Sequence, residues 1–144
     1  MTPPLPAIAP ATVPNPHFAR LGGARAVARL VDAFYRAMDT LPEAAGIRAM
    51  HAPDLGPTRA LLTLYFTEWL GGPADYSAQR GHPRLRMRHG PFAIGAAERD
   101  AWLACMQQAL AEVLGNDAEL RTQLMNALFK TADWLRNTQG STPP

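Results

Sequence analysis

The chain has 144 residues, 47% hydrophobic and 18% charged, enough for one globular domain with its own core. The formal charge is only +2, and the cationic side chains, thirteen arginines and the single Lys130, are scattered except between residues 80 and 88. That distribution argues against a nucleic-acid or polybasic membrane surface, and the lone Cys105 excludes a disulfide framework or a Cys-based zinc site.

The opening "MTPPLPAIAPATVPNP" has no basic start and is broken by prolines, so it reads as an extended arm and not as a signal peptide. No apolar run reaches the ~18 residues of a membrane span. The tail "TQGSTPP" reads as frayed, and a reducing cytoplasm suits the single thiol. There is no internal repeat.

Between these ends the pattern is helical throughout, with no convincing strand. A first long helix follows Gly22-Gly23; Val27, Leu30, Val31, Phe34 and Met38 share one face, and Leu41-Pro42 ends it. A short helical piece is expected over Glu43 to Met50. The next helix starts near Pro57 and stops at Gly71-Gly72-Pro73. Its apolar residues Leu61, Leu62, Leu64, Tyr65, Phe66, Trp69 and Leu70 cover more than half its circumference, so it is expected inside, with neighbours on several sides. "GGPADYSAQRGHP" is expected to form a loop of thirteen residues, a length that is often functional. A short helix from Arg84 to His89 follows. The fourth main helix spans about Ala96 to Leu114, with Trp102, Cys105, Met106, Ala109, Leu110 and Val113 as its stripe. The last begins at Asn116, with Glu119 completing an approximate capping box. Leu120, Leu124, Leu128, Thr131 and Leu135 line its inner face, and it reaches Arg136. So short a chain, with a long loop and one helix apolar nearly all round, leaves room for a large flat apolar group to complete the core.

His89 is the first candidate for chemistry. By itself a histidine before Gly90-Pro91 is most often a solvated helix-end residue. Yet Leu85, four residues earlier, puts it on an apolar face, and the abrupt stop leaves its imidazole at the helix tip. One ring nitrogen can bind iron there while the other donates to a nearby carbonyl. Arg84, Arg86 and Arg88 read as a wet face, or as a source of one or two partners for a cofactor's carboxylates. Spacing by two spreads them around the helix, so all three cannot serve together. Tyr35 sits at the edge of its stripe, where its hydroxyl either reaches water or turns inward to a ligand. Trp102 is core packing, or an indole N–H that meets a partly negative bound dioxygen. Thr58, Leu62, Tyr65 and Trp69 fall along one line of their helix, and His51 is an exposed loop residue or a pocket wall. His17 and His82 sit in Pro-flanked loops and read as solvated. No HExxH, paired cysteines, glycine-rich phosphate loop or marked serine triad is present, and the absence of CxxCH means that any haem is held without a covalent bond.

The stretch "WLGGPADYSAQRGHPRLRMRHGPFAIGAAERDAWLACM", residues 69–106, carries a likeness. With "LGGARAVARLVDAFY" it resembles the truncated haemoglobins of group II, also called group O. The resemblance covers about residues 18–137 and implies an all-α truncated globin, a two-over-two helical sandwich around a haem. It divides the chain into an arm (1–17), a globin domain (18–137) and a tail (138–144). It implies non-covalent haem b with His89 as the metal ligand and with Arg88, Arg86, Tyr76, Leu62 and Trp102 as further cofactor contacts. It implies Tyr35, Trp102, His51, Thr58 and Leu62 as the distal groups around a bound ligand, with His51 as a possible third donor beside Tyr35 and Trp102. "DTLPEAAGIRAMH" is longer than in some members, and Gly90 stands where a larger residue or alanine often sits.

The expected partners are then O2, NO, CO or peroxide, with neither nucleic acid nor membrane, in a monomer or homodimer. The function follows as a haem globin that binds such ligands at a pentacoordinate or weakly hexacoordinate iron. Catalysis of a peroxidase or NO-dioxygenase kind would need an external reductase, because the chain has no flavin or nicotinamide motif. The competing reading is a helical interaction module without cofactor.

Overall fold

The computed structural model describes residues 16–138. The expectations for residues 1–15 and for the tail after Thr138 fall outside the described residues. Among these the chain forms α1 (His17–Leu21), α2 (Gly23–Thr40), a 3-10 turn (Pro42–Ala44), α3 (Ala45–Ala49), α4 (Gly56–Trp69), α5 (Asp75–Arg80), α6 (Leu85–His89), α7 (Ala96–Val113) and α8 (Ala118–Trp134), and no strand.

Helix α2 is the spine. It packs on α7 and on α4, and α7 packs on α8, giving a two-over-two arrangement of the long helices. The predicted stripe of α2 is the buried one: Val27, Leu30, Val31, Phe34 and Met38 meet Cys105, Met106 and Leu110 of α7 and Leu120 and Leu124 of α8 in one core. Burial of that apolar surface is the main source of stability.

Local chemistry sets the helix ends. Gly22 takes φ 125°, and a Cβ there would meet the Cβ of Ala26 at 2.9 Å, so the turn between α1 and α2 requires glycine. Phe18 lies across Gly72 so closely that a Cβ on Gly72 would stand 2.7 Å from its ring, and the Phe18 N–H donates to Leu70 O at 2.8 Å. Glu98 Oε1 accepts from the Gly95 N–H at 2.7 Å and starts α7.

The structure corrects several expectations. His17 is not in a loop but opens α1, a five-residue helix behind Pro16. The thirteen-residue loop contains α5, whose Tyr76 is buried. This helix was hidden because its flanks are rich in Gly and Pro and because part of its cap comes from outside: Glu68 on α4 accepts from the Ser77 N–H at 2.8 Å and from the Ser77 hydroxyl. Helix α8 is capped by Asp117 and not Asn116; an Asp117 carboxylate oxygen accepts from the Leu120 N–H at 3.0 Å. That helix stops at Trp134, short of Arg136. Helix α4 is not enclosed on all sides. Phe66 and Leu70 are buried, whereas Leu61, Leu62, Leu64, Tyr65 and Trp69 are only half-buried, and most of these half-buried residues look into a cavity.

Candidate functional site

The cavity lies between α4, α6 and the α7–α8 pair, with Tyr35 of α2 and the α3 end as further walls. Its volume is about 530 Å³, within the range of cofactor sites, and its walls are mostly apolar. His89, Arg88, Tyr76, Leu62, Trp102, Tyr35, His51 and Thr58 all line it. Residues spread over more than fifty positions of sequence are thus brought to one space.

Helix α6 carries His89 on its half-buried side. Nδ1 of His89 lies 2.6 Å from the carbonyl oxygen of Leu85. A carbonyl only accepts, so Nδ1 holds the hydrogen, and in the neutral ring Nε2 is left as a bare lone pair. That is the tautomer a metal-binding imidazole needs, fixed by the backbone of its own helix. The segment is tied from behind by Asn137, whose Nδ2 donates to His89 O at 3.2 Å and to Phe92 O at 2.8 Å, while its Oδ1 accepts from the Ile94 N–H at 2.8 Å. Nothing in the periodicity marked Asn137, which lies just beyond the last helix; the signal is in its long-range hydrogen bonds alone.

Two donors also line the cavity. Tyr35 is 2% exposed, its ring edge-on to Phe34, and its hydroxyl has no hydrogen-bond partner among the described residues. Burial pushes its pKa up to about 12, against a lowering pull from the Arg59 guanidinium, so the hydroxyl keeps its proton. Trp102 is half-buried and packs edge-on against Phe34, with centroids 5.2 Å apart; its indole N–H is likewise unpartnered. Two unpartnered donors in a largely apolar cavity are costly unless something in it accepts from them.

His51 packs edge-on to Tyr35, with centroids 6.0 Å apart, and its Nδ1 is 2.8 Å from Ile47 O. The same reasoning leaves Nε2 of a neutral His51 without hydrogen. In that form Nε2 is an acceptor.

The three arginines part company. Arg88 lines the cavity, and its Nε donates to Pro83 O at 2.9 Å. Arg86 is turned outward, with its guanidinium carbon 5.1 Å from the centroid of the Trp134 ring, and is not among the lining residues. Arg84 caps α6 with φ 50°, and its N–H donates to Nδ1 of His82 at 2.9 Å. Tyr76 closes the cavity near α5, edge-on to Tyr65 with centroids 5.6 Å apart.

The cavity's volume, its apolar walls, a bare imidazole nitrogen, unpartnered donors and a guanidinium among the lining residues together fit a large planar group that carries a metal and carboxylates. Among the described residues no three His, Cys, Asp or Glu cluster as a metal site by themselves.

A family model described as bacterial-like globin matches residues 17–137. The group 2 truncated hemoglobin YjbI of Bacillus subtilis is 36% identical over 115 residues, 80% of this chain and 84% of the relative. Among solved structures, the group II 2-on-2 hemoglobin of Agrobacterium tumefaciens superimposes with TM-score 0.79 at 42% identity, over 83% of this chain and 92% of that one. The cold-adapted truncated hemoglobin of Pseudoalteromonas haloplanktis gives TM-score 0.80 at 33% identity, over 84% and 97%.

Proposed function

Because the chain belongs to the bacterial-like globin family, with group II truncated haemoglobins as its relatives, and is on that account a haem-binding globin, we propose that it holds haem b non-covalently through His89 and retains a diatomic ligand on the side of Tyr35 and Trp102. The observation that carries this reading is one cavity with a bare Nε2 of His89 and two unpartnered donors lining it.

Haem, held by His89, would supply an iron able to take O2, NO, CO or peroxide. The chain's own groups do the rest. Leu85 O fixes the tautomer of His89 and, with Asn137, holds the segment that presents it. Arg88 is the cationic group for the cofactor's carboxylates, and Tyr76, Leu62 and Thr58 complete the walls. The Tyr35 O–H and the Trp102 N–H donate to a ligand that has taken up negative charge, and Nε2 of His51 accepts from water or from a protonated ligand. Each donated bond to a charged acceptor in a dry pocket is worth ~1.5–3 kcal/mol. Two of them slow ligand escape by about two to four powers of ten. Such retention suits sensing, scavenging or redox chemistry better than carriage. Turnover with peroxide or NO needs electrons from a separate reductase.

The test is the electronic spectrum of purified protein in its ferric, ferrous and oxygenated forms. A strong haem band with a stable oxygenated form supports the reading. A colourless chain that does not take up haemin overturns it and leaves the interaction module.

A further inference from the structure

The positive charge of the chain is segregated. Between Asp75 and Glu98 the sequence has no carboxylate but contains Arg80, Arg84, Arg86 and Arg88, leaving the rest with ten Lys or Arg against all twelve Asp and Glu. None of these four arginines forms an ion pair among the described residues; the ion pairs lie elsewhere, as at Arg20, Arg36 and Arg99. Arg80, Arg84 and Arg86 are exposed and do not line the cavity; Arg88 is exposed as well but lines it, and is the one given above to the cofactor's carboxylates.

An apolar patch lies among them. Met87 is 63% exposed and Trp134 53%, and neither lines the cavity. Chain order and contacts connect them: Met87 follows Arg86 on α6. Arg86 stacks on Trp134, and Asn137, three residues past Trp134, donates to the carbonyls of His89 and Phe92. Large exposed apolar side chains beside unpaired arginines are the composition of an interface core and its rim, with Trp and Arg as the usual anchors. The patch also has a particular place. It includes Arg86 and Met87 on α6, the helix whose half-buried side presents His89 to the cavity. A molecule seated there stands close behind the proposed metal ligand.

The geometry points to this face as the docking surface of an electron-donating protein with an acidic rim and an apolar centre. The inference rests on the haem reading above and names the partner that its redox chemistry needs. Charge complementarity selects the partner. An acidic surface is steered toward this carboxylate-free segment with its four arginines, while the remainder, net negative, repels it.

The probe is photoreduced flavodoxin, an acidic one-electron flavoprotein, mixed in stopped flow with the ferric holoprotein. Photoreduced lumiflavin serves as a small donor without a protein surface. In Arg84→Glu/Arg86→Glu, at positions that do not line the cavity, the second-order rate with flavodoxin falls at least about tenfold at low ionic strength, and the rate with lumiflavin is unchanged. The unsubstituted protein loses rate with flavodoxin as salt is added. Trp134→Ser slows flavodoxin at every ionic strength. An unaltered flavodoxin rate in the charge-reversed variant overturns the inference, as does an equal loss with both donors. So does a phenotype confined to adsorption on phosphatidylserine vesicles. Failure of the haem reading looks different: the unsubstituted protein then shows no haem band and no reduction by lumiflavin.

Discussion

Trp102→Phe separates hydrogen bonding from packing. The indole lies edge-on against Phe34, with centroids 5.2 Å apart and planes at 60°. A phenyl ring keeps most of that contact and loses only the N–H and the outer part of the bicycle. The change in ligand retention therefore reports the lost donor. At ~1.5–3 kcal/mol for a bond to a charged acceptor, O2 dissociation accelerates about 10- to 150-fold. The assay is stopped-flow displacement of O2 from the ferrous protein by excess CO, read as a single exponential. Tyr35→Phe in the same assay gives a comparable factor, and the double variant shows whether the two donors share one acceptor. An off-rate for Trp102→Phe within about threefold of the unsubstituted protein would refute donation by the indole and return Trp102 to plain packing.

Alkaline stability tests the burial of Tyr35. Its folded pKa of about 12 exceeds the ordinary 10.0, so the unfolded chain releases that proton first as pH rises. Stability is complete below pH 10 and falls toward pH 12 by about 1–3 kcal/mol, and urea titrations of Tyr35→Phe should show a flatter alkaline limb. Cys105, pushed up to about 11 by burial, adds its own loss above pH 9 in both proteins and so cancels in the comparison. Asp117→Ala removes the cap on the Leu120 N–H and a carboxylate that faces Arg20 at 3.2 Å. Thermal unfolding should shift down by about 2–6 °C, and an unchanged midpoint would mean that the cap contributes nothing. Asn137→Ala removes the anchors on the carbonyls of His89 and Phe92, so transfer of haemin to an acceptor apoprotein should quicken at least about threefold.

The long helices were legible because each writes its buried face at 3.6-residue spacing. Val27, Val31 and Phe34 on α2, and Leu120, Leu124 and Leu128 on α8, are buried as their spacing requires. Short elements were not legible, since their stability comes from elsewhere. Helix α5 takes a cap from Glu68 on α4, and α1 is pinned to the end of α4 by the Phe18 N–H. At the site, the expectation that one His89 nitrogen donates to a nearby carbonyl agrees with the Leu85 oxygen 2.6 Å from Nδ1, although which carbonyl was not read from the sequence. The split among Arg84, Arg86 and Arg88 could not be read from spacing alone, because it depends on Trp134 and Pro83 as local partners. Asn137 was missed for the same reason. The apolar circumference of α4 had two physical solutions, neighbours on all sides or a cavity. The structure has the cavity, and only tertiary packing decides between them.

Haemin titration of His89→Ala beside the unsubstituted chain, read in the Soret region, bears most directly on the metal ligand. The unsubstituted protein should take up one haem and show an imidazole-ligated ferrous spectrum with a stable CO form. His89→Ala should bind haemin weakly, lose that spectrum, and regain it when imidazole is added. Equal uptake with an unchanged spectrum in His89→Ala would contradict the account.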